Sequence, residues 1–188
     1  VTRFLIDADE VLANFAEPAC QIISEVLGRP WTLEKDRPQG TFDMFGDLND
    51  DDFDAVFEAM HVEGWCMGIE PYPGTEEAVA TLRELCDEVL VVTAPQLGPT
   101  WAYERTLWLS RYFGFKHHEV IHAISKYVCG GDFFLDDNPD HVERWQKEYP
   151  ESHAMLWTSG HNKHLKGYDH LRVNSWQTIF ERIKARGR

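Results

Sequence analysis

Apolar and polar positions along this chain fall into two textures. Near the amino terminus a short apolar run, Phe4-Leu5-Ile6, ends in two carboxylates, Asp7 and Asp9, so residues 3–7 predict a buried strand. Over about residues 13–27, Phe15, Ala19, Ile22, Ile23, Val26 and Leu27 recur at helical spacing, and Gly28-Arg29-Pro30 closes that helix. Residues 31–50 mix acids and turn formers with Trp31, Phe42, Met44 and Phe45. A second helix over about 51–60 puts Phe53, Val56, Phe57 and Met60 on one face, with Asp50, Asp51 and Asp52 suited to its start.

Beyond Pro71-Tyr72-Pro73-Gly74 the texture changes. Helices over 75–85 (with Thr75 as cap), 101–113, 139–149 and 176–184 alternate with strands over 88–93, 119–124, 132–135 and 153–157. Strands alternating with helices imply a parallel sheet covered on both faces, a Rossmann-like three-layer α/β/α core. Residues 16–73 read as a small helical cap inserted after the first strand, leaving 1–15 and 74–188 as the core domain. Ligands of such sheets bind beyond the carboxyl ends of the strands. Asp7, Thr93 and Asp136 all stand at ends of that kind.

Composition narrows the functional classes. A formal net charge of −14 over 188 residues excludes a general nucleic-acid or anionic-membrane surface, which needs a basic footprint. A small anionic substrate remains open, provided a metal ion and a few Lys or Arg reverse the potential locally. Cys20, Cys66, Cys86 and Cys129 form no CxxC pair, so neither a zinc site nor a disulfide framework is indicated. No apolar stretch approaches membrane-spanning length, and the amino terminus shows no signal-peptide pattern, so a cytoplasmic protein is expected. A homodimer is left open.

Asp7 and Asp9, two apart just past a strand, repel each other and call for a cation or a proton between them. That suits Mg²⁺-assisted chemistry in which one carboxylate attacks and the other shuttles a proton. Each candidate also has a bland reading. Asp136-Asp137 would cap the helix that Pro139 opens. Lys126 and Arg105 would be solvated charges, and Thr93 would merely end a strand. Phe42, Phe45, Phe57 and Trp65 would pack cap against core. The histidines, including His161 and His164, read as loop and surface residues, with His161 near the site entrance.

In order, Asp7-x-Asp9, Thr93 after an apolar strand, Lys126, and Asp136-Asp137 after Phe133-Phe134-Leu135 resemble the haloacid dehalogenase superfamily of phosphotransferases. A narrower resemblance, to the 5′(3′)-deoxyribonucleotidases, rests on residues 7–15 (DADEVLANF), 70–74 (EPYPG), Thr93-Ala94-Pro95, Tyr103-Glu104-Arg105, Tyr112-Phe113-Gly114, residues 135–140 (LDDNPD) and 161–165 (HNKHL). It implies a phosphatase of nucleoside monophosphates. Asp7 would form an aspartyl-phosphate, and Asp9 would serve as general acid and base. Mg²⁺ would be held by Asp7, the Asp9 carbonyl and Asp137, with Asp136 supporting. Thr93, the Ala94 amide, Lys126 and Arg105 would hold phosphate, while Phe15, Phe42, Phe45 and Trp65 would meet the nucleobase. Three residues depart from the usual pattern: Glu10 for Gly adds a charge near the phosphate site, Asn14 replaces Asp, and Ala94 for Ser removes a hydroxyl donor. The alternatives are a phosphatase for another small phosphomonoester and a catalytically silent binding member.

Overall fold

The computed structural model describes residues 1–37 and 41–186, so residues 38–40 of the expected cap lie outside it. The strands are β1 (Arg3–Ile6), β2 (Glu88–Thr93), β3 (Val120–His122), β4 (Phe133–Asp136), β5 (His153–Trp157) and β6 (Arg172–Val173). They form one sheet in the order β3-β2-β1-β4-β5-β6, and every neighbouring pair is parallel. The helices are α1 (Ala16–Leu27), α2 (Asp50–Met60), α3 (Thr75–Leu85), α4 (Trp101–Phe113), α5 (Pro139–Glu148) and α6 (Trp176–Arg186). None among the described residues is long and apolar enough to cross a membrane.

The central strand explains the layering. Phe4 and Ile6 point into a core shared with α3, α4 and α6, whereas Leu5 points to the opposite face with Val142 and Trp145 of α5. All three strand residues are fully buried, as a strand covered on both faces requires. Strand order reverses direction at β1, where β2 lies on one side and β4 on the other, and a crevice opens beyond their carboxyl ends.

Between β1 and β2 the chain makes α1 and α2, which pack on each other through Ile23, Val56 and Met60 of the same core. Phe53, expected on the buried face of α2, is 40% exposed and instead stacks on Phe57, with ring centroids 5.9 Å apart. Asn49 caps α2 by accepting the Asp52 amide at 2.9 Å, with the three aspartates following in its first turn. The α3 cap differs from expectation. Gly74, in the left-handed region at φ 82°, occupies that position, and the Thr75 hydroxyl donates back to the Tyr72 carbonyl at 2.6 Å. The two-residue strand β6 was absent from the sequence reading, because so short a segment carries no period.

Candidate active site

Asp7 follows the last residue of β1, and its amide bonds to the Leu135 carbonyl of β4 at 2.9 Å, so the sheet itself fixes where this carboxylate starts. Asp136 closes β4 and Asp137 follows it. Carboxylate oxygens of Asp7, Asp136 and Asp137 lie within 4.8 Å of one another, and all three residues are buried. The Lys126 ammonium, 3% exposed on a 3₁₀ turn (Lys126–Val128), sits 2.7 Å from Asp7 Oδ1 and 2.8 Å from Asp136 Oδ2. Sequence positions 119 residues apart thus meet at one point.

The charge balance defines what this cluster accepts. Three carboxylates share one ammonium, which leaves two negative charges in excess when all are ionised. Burial, helped by the Asp136 and Asp9 charges, outweighs the lowering by Lys126 and pushes the Asp7 carboxyl up to about 7. Burial and the neighbouring Asp136, Asp7 and Glu10 raise Asp137 well above the carboxylate range. Burial also acts on Asp136, but Lys126 and His141 outweigh it and hold that group low. A doubly charged hard cation with oxygen ligands matches both the deficit and the donor set. Asp7 Oδ1 is taken by Lys126 and by the Ala8 amide at 2.7 Å, so Oδ2 is the oxygen these donors leave for chemistry.

The second acid is held apart from this cluster. Asp9 Oδ1 accepts from Arg105 Nη2 at 2.6 Å. Arg105 was expected on the phosphate or in solvent; the fold buries it completely and sets it against Asp9. Thr93 ends β2 with its hydroxyl oxygen buried and without a hydrogen-bond partner, and Ala94 lines the cavity just beyond.

That cavity, of about 550 Å³, is lined by the Asp7, Asp9, Lys126 and Asp137 groups. Phe15, Phe42, Met44 and Phe45 form its apolar wall. Trp65 stands behind rather than in this wall, edge-on to Phe15 at 5.7 Å. His161 is not a surface residue: it is 4% exposed, its ring lies 5.4 Å from that of Phe42, and burial lowers its pKa to about 4.

The HNKHL segment works as a brace. Asn162 Nδ2 donates to the Asp137 carbonyl at 2.7 Å and to the Trp157 carbonyl at 2.6 Å, while Arg172 holds Asn162 Oδ1 at 2.7 Å. Ser159 Oγ reaches Asp137 Oδ2 at 3.2 Å. Arg37, from the segment between α1 and α2, donates to the Gly160 carbonyl at 2.7 Å and to His164 Nδ1 at 2.7 Å. The sequence assigns no role to Ser159, Asn162 or Arg172, and only the HNKHL segment around Asn162 points to this brace. Nor do Asp136 and Asp137 cap α5: Asn138 does, accepting the Asp140 amide at 3.0 Å.

Glu10, the residue that departs from glycine, adopts φ 58°, a left-handed conformation costing about 1–2 kcal/mol for a side-chain-bearing residue. Its carboxylate lines the cavity but is engaged on two sides, by the Ala16 amide at the start of α1 (2.8 Å) and by the Tyr72 hydroxyl (3.0 Å). The side chain therefore supplies the cap that Phe15 cannot. Burial outweighs these donors and lifts its pKa from 4.5 to about 7. The native state then binds the proton more tightly than the unfolded chain, so this group costs stability progressively as pH rises from 4.5 to about 7. In the metal-free protein, Glu10→Gln is expected to gain stability on the wild type across that window and to melt alike below it. Thermal melts over the pH series check this; a difference independent of pH would remove Glu10 from the account.

The parallel sheet thus gathers Asp7, Asp136 and Asp137 at its strand ends with Lys126 paired to the first two, the arrangement expected from the resemblance to the haloacid dehalogenase superfamily. The profile of the family described as "5' nucleotidase, deoxy (Pyrimidine), cytosolic type C protein" matches residues 2–188. The chain belongs to that family of phosphoric monoester hydrolases. Among its relatives, the human cytosolic-type 5'(3')-deoxyribonucleotidase is 29% identical over 168 residues, covering 87% of this chain and 83% of the human protein. In fold it is similar to a HAD family hydrolase of Deinococcus radiodurans solved with bound phosphate and sodium (TM-score 0.62, 15% identity, 98% of this chain and 96% of that one). A Pseudomonas syringae hydrolase is similar in the same sense (TM-score 0.58, 12% identity, 98% of each chain).

Proposed function

We propose that this protein is a Mg²⁺-dependent phosphatase of nucleoside monophosphates, deoxyribonucleotides above all, acting through an aspartyl-phosphate on Asp7. The observation that carries the reading is the cluster of Asp7, Lys126, Asp136 and Asp137 in a cavity that Phe15, Phe42 and Phe45 also line. Asp7 Oδ2 attacks phosphorus as the ester P–O bond breaks. Asp9 gives its proton to the departing sugar oxygen and later takes one from the water that hydrolyses the acyl phosphate. Lys126 balances charge on Asp7 and on the transferring group, and Thr93 with the Ala94 amide receives phosphate oxygens. Asp7, the Asp9 carbonyl and Asp137 would hold Mg²⁺, which supplies charge neutralisation to the phosphate oxygens when bound.

On this reading residues 16–73 are the cap that selects the substrate, over a core of 1–15 and 74–188. Phe15, Phe42 and Phe45 offer flat apolar surface to the base, with Trp65 supporting Phe15 from behind. Arg37 and the Thr41 carbonyl, which meets His164 Nε2 at 3.2 Å, tie that segment to the core beside the cavity. The name of the human relative supports deoxyribonucleotides and a cytoplasmic place.

Phosphate release from a panel of deoxynucleotides, ribonucleotides and sugar phosphates tests the reading, with and without chelator. Deoxynucleotides should turn over fastest, chelation should remove the activity and Mg²⁺ should restore it. Fastest turnover of a sugar phosphate overturns the substrate, and indifference to chelation overturns the metal.

A further inference from the structure

Arg105 is a full charge with no exposed surface, and it does not reach the cavity. Its guanidinium carbon lies 5.2 Å from the ring centre of Trp101 and 4.9 Å from that of Trp108. Trp108 is itself fixed, since its Nε1 donates to the Ile69 carbonyl at 2.6 Å. Of the guanidinium's donors, Nη2 meets Asp9 Oδ1 at 2.6 Å, while Nε and Nη1 are buried without hydrogen-bond partners. Burying a cation is costly, and among the described residues its one hydrogen bond goes to Asp9. Asp9, in contrast, is 22% exposed at its side chain and lines the cavity. Asp9 and Lys126 both line the cavity that a phosphate would enter, whereas Arg105 is not among the lining residues.

We propose that Arg105 is a positioning residue for Asp9. Held between two indole rings on α4, it pins one oxygen of the general acid and leaves the other aimed at the leaving group. This rests on the phosphatase reading above and replaces the phosphate contact expected for Arg105 from sequence resemblance.

Arg105→Met keeps the apolar stem between the tryptophans and removes the pin. On a deoxynucleotide, kcat should fall roughly 10- to 100-fold, with KM and the inhibition constant of inorganic phosphate changed less than about threefold. On p-nitrophenyl phosphate, whose leaving group needs little protonation, kcat/KM should fall less than about threefold. Arg105→Lys should give a smaller loss with the same sparing of the aryl ester, and it carries the test if the Met variant does not fold. Adding Arg105→Met to Asp9→Asn should cost nothing further. A rise in KM and in the phosphate constant at unchanged kcat would return Arg105 to phosphate binding and overturn the proposal. Equal losses on both esters would reduce it to a structural role, and additive losses in the double variant would also overturn it. A wild-type protein that releases phosphate from neither ester removes the phosphatase reading and this one together.

Discussion

Asp7→Asn is expected to abolish phosphate release, by roughly 10⁴-fold or more, while leaving the protein folded. The amide keeps the shape of the carboxylate but supplies no nucleophilic oxygen where Oδ2 now stands. Folding should not suffer, because burial and the neighbouring carboxylates already hold the Asp7 carboxyl up at about 7. Near neutral pH the native state gains little from its charge, and the variant relieves crowding against Asp136 and Asp137. Metal-free melts should therefore match or exceed the wild type, whereas the stabilisation by added Mg²⁺ should shrink with the loss of one ligand. Residual turnover above about one part in a hundred would sink the covalent route. Unchanged nucleotide binding in a wild-type protein with no turnover would favour a silent binding member instead.

Lys126→Met is expected to hit stability and rate together. The ammonium is 3% exposed and bridges Asp7 and Asp136, whose side chains are 7% and 0% exposed. Removing one partner of a buried pair leaves uncompensated charge, and such changes cost about 3–5 kcal/mol. For a chain of this size that corresponds to a fall in melting temperature of about 10 °C. Mg²⁺ should recover part of this loss, since it supplies positive charge to the same carboxylates. Turnover should fall by roughly 10²–10³-fold even at saturating Mg²⁺, because the transferring phosphoryl group loses its nearest fixed cation. Denaturant and thermal melts with and without Mg²⁺ measure the first effect. If the metal-free variant melts with the wild type, Lys126 is not what holds these carboxylates together.

Much of this molecule was legible along the chain. Phe4-Leu5-Ile6 ahead of Asp7 predicted the central strand, and the alternation of helices and strands after Gly74 predicted the parallel sheet. Asp7 was marked out by the paired acids, Lys126, Asp136 and Asp137 by the resemblance of the motif order to a known superfamily, and the fold brings all four to one point. Other features had no local signature. Arg105 on α4, expected on the phosphate or in solvent, is buried beside Trp101 and Trp108 and paired with Asp9. His161, expected as a surface residue near the site entrance, does line the cavity, but nothing near it in sequence reveals that it is buried against Phe42.

The division has a physical cause. Strand and helix identity follow from side-chain periodicity and turn chemistry, which act between near neighbours, so the sequence alone determined the layered sheet and the strand ends that present Asp7, Thr93 and Asp136. Which partner each charge finds depends on loops closing across the whole fold. Asp9 meets Arg105 from 96 residues away, Asn162 meets the Asp137 carbonyl across 25, and Glu10 at the cavity accepts the amide of Ala16 in the first turn of α1. Those pairings are decided only when burial strips water from each group and leaves it the nearest fixed partner, which is a property of the packed structure.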